Sequence, residues 1–231
     1  MKKKNGVTLS PAVGVDTSSH DFFIVYSSPQ SPMQTPWVCV LDYACSWAGG
    51  QTSDSGIVSA LTTSLHNSGV TYDPGQHYTN PDESVTPIIY DASFNLTSLL
   101  NGMNTNITSV QMDCRDFSNI LSICAGSLGA NGYYNILKRQ DDAHFNTNYI
   151  HPAGGSWGTA NWGYHQVGWY WNSDVADTAA DLDGDGYPST SPSTDLLIIG
   201  DKTVNQYLPI FSSDSNVQQY LVSRLNNNQI Y

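Results

Sequence analysis

The sequence predicts an α+β fold in which helices come first along the chain and an antiparallel β-sheet follows. Three stretches that precede the strands carry apolar residues at helical spacing: 57–65, 94–103 and 113–128. The pattern then changes to strands, which are expected over 132–139, 146–151, 164–171, 174–180 and 195–199. Helices and strands that are segregated along the chain are typical of α+β proteins. A last helix is expected over 214–225, with Asp214 as its N-cap.

The composition is that of a globular protein with one main domain. The chain has 231 residues, of which 39% are hydrophobic, and this is enough for one sizeable core. Of the 20 acidic residues, all but Glu83 are Asp. Asp favours turns and strand ends over helix surfaces, so the composition excludes a coiled coil or a helical repeat.

Charge and hydropathy exclude two kinds of partner. The net charge of −12 argues against a nucleic-acid partner, because binding to nucleic acid needs a basic surface. No apolar run approaches the roughly 20 residues that cross a bilayer, so no membrane span is expected. The chain has few lysines and many Asn, Ser, Thr and Tyr residues, and this composition favours a secreted or cell-surface bacterial protein.

The chain divides into a short N-terminal part and a larger domain. Residues 1–36 are rich in Ser, Pro, Gly and Thr around one apolar stretch, 22–26. They predict an arm or linker that lends one strand to the main body. Residues 37–231 form the predicted domain, which opens on a second apolar stretch, 37–41, that we expect to be a strand.

The helix expected over 113–128 places a cysteine at a chemically favourable position. Asp113 is a natural N-cap, and Asp116 three residues later completes a pair that resembles a capping box. Cys114 therefore falls in the first helical turn, where unpaired N–H groups and the helix dipole favour the thiolate. The same N–H groups are suited to holding an oxyanion. Cys114 is thus a candidate nucleophile.

A thiol nucleophile needs a base and a group that orients the base. His165 lies at the start of a predicted strand, and Asp177 lies on the strand that returns after the turn 172–174. A strand, a tight turn and a second strand predict a hairpin, in which these two residues lie side by side. Their side chains meet only if the register turns both to the same face of the sheet.

The order of these three residues resembles the transglutaminase-like, papain-related superfamily of cysteine enzymes. The resemblance covers roughly residues 37–200 and consists of three short blocks: 113–117 with 128–129, the strand after His165, and the returning Asp177. It implies a papain-like or transglutaminase-like core, with the nucleophile helix packed against an antiparallel sheet and a Cys114, His165 and Asp177 triad. Members act on acyl groups of peptides as transglutaminases, cysteine peptidases or deamidases.

The sequence departs from that family in the interval between base and orienter. The 12 residues from His165 to Asp177 are fewer than the family leads us to expect, so Asp181 is a rival orienter. We prefer Asp177 because it lies within the apolar strand. The oxyanion-hole side chain has no clear match, and Trp37 and Trp47 are the candidates.

The other cysteines favour structural roles. None of the four cysteines is spaced as Cys-x-x-Cys, so they do not predict a zinc site. Cys124 lies in the middle of the apolar stripe of its helix, where a cysteine is usually a small hydrophobic residue. Cys39 and Cys45 are expected to be structural or to form a disulfide with each other.

An acidic motif predicts a calcium ion. Asp181, Asp183 and Asp185 alternate as in the first half of an EF-hand loop, and Gly186 allows the sharp turn. Position twelve of such a loop holds Pro192 instead of a carboxylate, so Asp195 is the expected distal ligand. The alternative is an Asp/Gly surface turn between two strands. No organic cofactor is expected.

Aromatic residues surround the candidate base. Six of them lie within 15 residues: Trp157, Trp162, Tyr164, Trp169, Tyr170 and Trp171. They are expected to pack across the strands and also to wall a cleft.

Two functions from different classes follow from these features. The first is a secreted cysteine-nucleophile enzyme that transfers acyl groups of peptides or of glutamine side chains to water or to an amine. The second is a non-catalytic, calcium-stabilised binding module of a larger surface protein. The geometry of Cys114 and His165 distinguishes the two.

Overall fold

A computed structural model describes residues 22–81, 91–131, 133–170, 174–184, 195–221, 225 and 227–231. Among them the chain forms five α-helices: α1 Val38–Trp47, α2 Asp54–His66, α3 Leu96–Asn106, α4 Cys114–Ser127 and α5 Val204–Phe211. Two short 3-10 helices occupy Ile107–Ser109 and Asn227–Gln229.

The strands of the described residues form one larger sheet and several small ones. The strands of the larger, five-stranded sheet are β5 Tyr133–Arg139, β9 His165–Tyr170, β10 Asp174–Ala176, β13 Ile199–Thr203 and β14 Val217–Leu221. A three-stranded sheet contains β7 Ile150–Pro152, β11 Ala180–Asp183 and β12 Asp195–Leu196. The remaining strands pair in twos: β1 Thr71–Tyr72 with β4 Gln111–Met112, β2 Thr79–Pro81 with β3 Asp91–Phe94, and β6 Phe145–Asn146 with β8 Asn161–Trp162.

The central sheet is antiparallel and has the order β13, β10, β9, β5, β14. Helix α4 packs against β9, and helices α1 and α2 pack against α4 in turn. A second apolar cluster contains Val167 of β9 together with Tyr207 and Phe211 of α5. The predicted α+β class, with the cysteine-bearing helix on an antiparallel sheet, is therefore what the chain forms.

A glycine allows α4 to approach the sheet closely. A Cβ atom at Gly168 of β9 would lie 2.6 Å from Leu121 Cδ2 and 2.8 Å from the carbonyl oxygen of Ala176. The second neighbour is backbone, which moves at greater cost than the end of a side chain. The helix that carries Cys114 and the strand that carries His165 are thus brought together at this point.

We expect Gly168→Ala to destabilise the fold by about 1–3 kcal/mol, because the added methyl group overpacks the contact between helix and sheet. The free energy of unfolding in urea measures the effect. Gly158→Ala is the matched control, since a Cβ atom there has no neighbour within 4 Å. Equal stability of both variants would contradict the close approach.

Three predicted elements are wrong. Residues 22–26 form no strand, although the backbone N–H groups of Tyr26 and Ser27 both donate to the carbonyl of Leu128. The apolar stretch 37–41 begins helix α1 instead of a strand, and the buried residues of that helix, Val40 and Ala44, are one helical turn apart. Within 214–225 the chain forms strand β14, which pairs with β5, and the helix of this region is α5, earlier in the chain.

Among the described residues, no helix is long and apolar enough to cross a membrane.

Candidate active site

Helix α4 begins as its sequence predicts. The Asp113 carboxylate accepts the backbone N–H of Asp116 at 2.9 Å, and the Asp116 carboxylate accepts the backbone N–H of Asp113, which completes a capping box. Cys114 is the first residue of the helix and is 3% exposed. The cap therefore places the thiol at the buried start of a helix that faces β9.

His165 and Asp177 meet, although the strand predicted over 174–180 ends at Ala176, the partner of Gly168 in β9, and Asp177 follows that strand instead of lying on it. His165 Nε2 lies 2.9 Å from Asp177 Oδ2, and both side chains are buried. The same carboxylate accepts the Tyr207 hydroxyl at 2.7 Å and the backbone N–H of Ala179 at 3.0 Å. Three donors thus fix the carboxylate, and the carboxylate in turn fixes the imidazole.

The hydrogen bonds define which nitrogen of His165 is basic. The ionised Asp177 accepts the hydrogen atom on Nε2, so the neutral ring carries its lone pair on Nδ1. Nδ1 is buried and has no hydrogen-bond partner among the described residues. The ring packs against Trp162, at 4.8 Å, and Phe211, at 4.9 Å between centroids, and these two rings also contact each other at 5.8 Å. The imidazole is therefore held rigidly with one nitrogen free to accept a proton.

Helix α4, which begins at Cys114, packs against β9, which begins at His165. The backbone N–H of Gln166, the residue that follows His165, is close enough to the Cys114 sulfur to lower the pKa of the thiol. The sulfur is not hydrogen-bonded to the imidazole, because Nδ1 is without a partner in the described structure. All three predicted residues are thus buried, and one of the two hydrogen bonds that the sequence predicts among them, between His165 and Asp177, is formed.

The protonation state of the thiol differs from the prediction. Burial raises the pKa of Cys114 well above its ordinary value, and the adjacent Asp113 carboxylate raises the pKa further. The Gln166 N–H and the Arg115 guanidinium lower it without outweighing these effects. The prediction of a thiolate at Cys114 considered the helix dipole alone. The Asp113 cap that positions the helix also places a negative charge next to the sulfur, and this charge disfavours the thiolate.

The pKa of Asp177 is shifted in the opposite direction, below its ordinary value. Burial opposes its ionisation, but the His165 ring and the donors from Tyr207 and Ala179 together lower its pKa. The carboxylate is therefore charged across the neutral range and stabilises a protonated imidazole. Asp181, the rival orienter, lies elsewhere: its Oδ2 atom is 3.1 Å from His66 Nε2.

A positioning role for Tyr207 gives a prediction. Tyr207→Phe removes one of three donors to Asp177, and we expect turnover to fall roughly tenfold, the worth of about one hydrogen bond to a charged group. Loss of the Tyr207 hydroxyl makes the Asp177 carboxylate a stronger base. The acidic limb of the pH–rate profile should therefore also move to higher pH. An unchanged profile would mean that the hydroxyl only fills space. The profile of kcat/KM measures both effects.

A buried polar network holds the β2–β3 hairpin on α4. Asp116 accepts the backbone N–H groups of Tyr78 and Thr79 and the hydroxyl of Thr79. Asn119 donates to Thr79 and to Asp91, each at 3.0 Å. These contacts join the first two turns of α4 to the β2–β3 pair. Because Cys114 is the first residue of α4, the network also fixes the position of Cys114.

Half-buried aromatic side chains separate the site from solvent. Tyr72 lies 5.7 Å from the Trp162 ring that covers His165, and the Arg115 guanidinium lies 4.5 Å over the ring of Tyr164. Burial and the nearby thiol raise the pKa of both tyrosines, so each stays neutral. The expected aromatic packing around His165 is thus formed by Trp162, while the side chains of 169–171 lie outside the described residues.

The candidate oxyanion tryptophans do not belong to the triad's immediate surroundings. Trp47 packs at the end of α1, 5.1 Å from the ring of Tyr43, and Trp37 is the N-cap of the same helix. The indole that contacts the triad is Trp162. All four cysteines are free, so the expected disulfide between Cys39 and Cys45 does not form. Cys124 is buried in α4, as predicted.

Three of the four residues predicted to bind calcium lie on strands of the three-stranded sheet. Asp181 and Asp183 lie on β11, and Asp195 pairs directly with Asp183 from β12. Asp185 lies outside the described residues. Asp181 and Asp195 each lie within 4 Å of His151, a residue to which the sequence assigned no role.

Two further site residues could not be found from the local pattern. Tyr207 and Phe211 come from α5, at a position where no helix was predicted, yet they contact Asp177 and His165. Their spacing of four residues on an apolar stretch is a helical signal that the nearby Pro209 obscured. A comparison of the chain with protein-family models, with curated proteins and with solved structures finds no match.

Proposed function

We propose that this protein is a cysteine-nucleophile enzyme of transglutaminase-like or papain-like type, acting on an amide of a peptide backbone or a glutamine side chain. The observation that carries the proposal is the buried, hydrogen-bonded pair of His165 and Asp177, with His165 on the strand against which the helix of Cys114 packs. A neutral thiol needs a base that accepts its proton. His165 is suited to this role, because Asp177 orients the ring through Nε2 and leaves Nδ1 as the basic nitrogen. The composition supports a secreted or cell-surface setting.

The resting site holds a neutral thiol, because burial raises the pKa of Cys114. As the Cys114 sulfur attacks the carbonyl carbon, its proton passes to His165 Nδ1, and Asp177 stabilises the resulting imidazolium. First-turn N–H groups of α4 that lack an intrahelical partner are positioned to stabilise the oxyanion. The imidazolium then protonates the leaving amine, which departs and leaves a thioester on Cys114.

The thioester is resolved by the reverse sequence. His165 Nδ1 removes a proton from water or from an amine as that acceptor attacks the thioester carbonyl, and the Cys114 thiolate leaves and regains the proton. Water as acceptor gives hydrolysis or deamidation, and a primary amine gives cross-linking. The acceptor is chosen by the shape of the entrance, to which Tyr72, Trp162 and Tyr164 belong.

Substrate entry requires these aromatic side chains to move, since Cys114 is 3% and His165 0% exposed. Hydrogen bonds that are long or absent in a free enzyme commonly tighten when substrate binds. We infer that the sulfur reaches Nδ1 in the same step that opens the aromatic cover.

The test is to trap the thioester with p-nitrophenyl acetate, an activated acyl donor that needs no knowledge of the natural substrate. We expect acetylation of Cys114, located by mass spectrometry of the digested protein at low pH, and its loss in His165→Ala. Acetylation confined to the half-buried Cys39 and Cys45 would contradict the proposal. It would favour instead the non-catalytic binding module, for which the burial of Cys114 is the supporting observation.

A further inference from the structure

We propose that His151, Asp181 and Asp195 bind a divalent transition-metal ion of the zinc class, at a site separate from the triad. The three residues come from neighbouring strands of the three-stranded sheet, β7, β11 and β12. His151 pairs directly with Asp181 across the sheet. One potential ligand atom from each residue lies within 4.8 Å of the other two.

The separations are those of ligands around one ion. His151 Nδ1 lies 3.8 Å from Asp181 Oδ2 and 3.7 Å from Asp195 Oδ1. Both distances are too long for a hydrogen bond. Two ligand atoms that each lie about 2.1 Å from a tetrahedral ion are separated by about 3.4 Å. The cluster therefore needs only a small contraction to enclose a metal.

The tautomer of His151 points to a cation as well. Its Nε2 atom lies 3.2 Å from the carbonyl oxygen of Gly155, and a carbonyl only accepts, so Nε2 carries the hydrogen. Nδ1 then presents its lone pair, and this atom is buried without a hydrogen-bond partner in the described part of the chain. A lone pair that faces two carboxylates is repelled by them, and a cation bound between the three ligand atoms relieves this repulsion.

Further contacts hold the ligands in place. His66 contacts Asp181 Oδ2 through Nε2 at 3.1 Å, while its Nδ1 donates to the Thr178 carbonyl at 3.2 Å. The Trp157 ring stacks on His151 at 5.2 Å with an angle of 19° between the planes. Partners that orient a ligating carboxylate and a ligating imidazole are typical of metal sites.

The donor set favours zinc over calcium. Calcium takes about 6–8 oxygen ligands, whereas this cluster offers one nitrogen and two carboxylates. Three protein ligands leave a fourth tetrahedral position for water. The site differs from the predicted EF-hand loop in using His151, and it needs neither Asp183 nor Asp185.

The experiment measures metal binding in Cys114→Ala protein, which removes a competing thiol. Zn²⁺ is titrated against a chromophoric chelator, and Trp157 fluorescence provides a second signal. We expect one equivalent of tight binding and at least tenfold weaker Ca²⁺ binding. With Co²⁺, visible bands of four-coordinate intensity without a sulfur-to-cobalt charge-transfer band are expected. Binding through Cys39 or Cys45, or Ca²⁺ tighter than Zn²⁺, would overturn the proposal.

Variants locate the site. Asp195→Asn changes an exposed side chain, and His151→Gln can keep a hydrogen bond to Gly155. We expect each to weaken Zn²⁺ binding at least tenfold with the melting temperature of the metal-free protein nearly unchanged. Asp201→Asn, an exposed carboxylate paired with Lys202, is the matched control and should bind as the parent does. Equal Zn²⁺ affinity in all three variants would overturn the proposal. So would a cysteine signature in the cobalt spectrum.

Discussion

Replacement of Cys114 by serine is expected to abolish acyl transfer, with a loss of at least about 10³-fold in kcat/KM. A serine hydroxyl is a far weaker acid than a thiol, and the buried site already disfavours the anion of Cys114 itself. His165 can therefore not activate the hydroxyl to a useful extent. Release of ammonia or amine from a panel of glutamine-containing peptides measures the rate.

The serine variant also has a clean structural control. Serine is close in size to cysteine at a position that is only 3% exposed, so the melting temperature should change little. Cys39→Ser, in the half-buried part of α1, is the matched variant and should retain full activity. Turnover that survives in Cys114→Ser would show that Cys114 is not the nucleophile.

The second large effect is expected at His165. His165→Ala should lower kcat/KM by about 10²–10⁴-fold, the usual contribution of a general base. The thiol pKa is raised, so no preformed thiolate compensates for loss of the base. The loss should shrink as the pH rises, because hydroxide then ionises the thiol without the imidazole. A pH–rate profile of the variant against the parent shows this convergence.

In His165→Ala, unfolding of the protein must be distinguished from loss of catalysis. Removing His165 leaves the buried Asp177 carboxylate without one of its three donors, and an unsatisfied buried polar group costs about 1–3 kcal/mol or more. The double variant His165→Ala with Asp177→Asn removes that charge and should regain stability without regaining activity. His144→Ala, on an exposed histidine, should leave the rate unchanged. A dominant effect at His144 would mean that the base is misassigned.

Local signals were sufficient for the helix that carries the thiol. The cap at Asp113, its partner Asp116 and the apolar stripe that follows act over three to eleven residues, and these contacts form in the structure as predicted. The proximity of His165 and Asp177 in the chain fold was also predictable, because a hairpin brings its strands together. The register of the two strands was not predictable, since a shift of one residue turns a side chain to the other face of the sheet.

The predictions were wrong for segments whose apolar pattern fits both a helix and a strand. Residues 217–221 carry apolar side chains that fit one face of a helix, yet they form β14 because the edge of β5 offers unpaired backbone groups. The stretch 37–41 shows the reverse, and forms part of α1 because its apolar face packs on α4. In both cases the available tertiary partner decides the secondary structure.

By itself, the sequence determined the α+β class and the capped helix start at Cys114. The tertiary structure alone decided three things. It selected Asp177 over Asp181, because Asp181 lies beside His66 and His151 instead. It brought Tyr207 and Phe211 of α5 to the triad. It also made the thiol neutral, because the energy of a charge depends on burial and on every neighbouring charge, which only the packed fold defines.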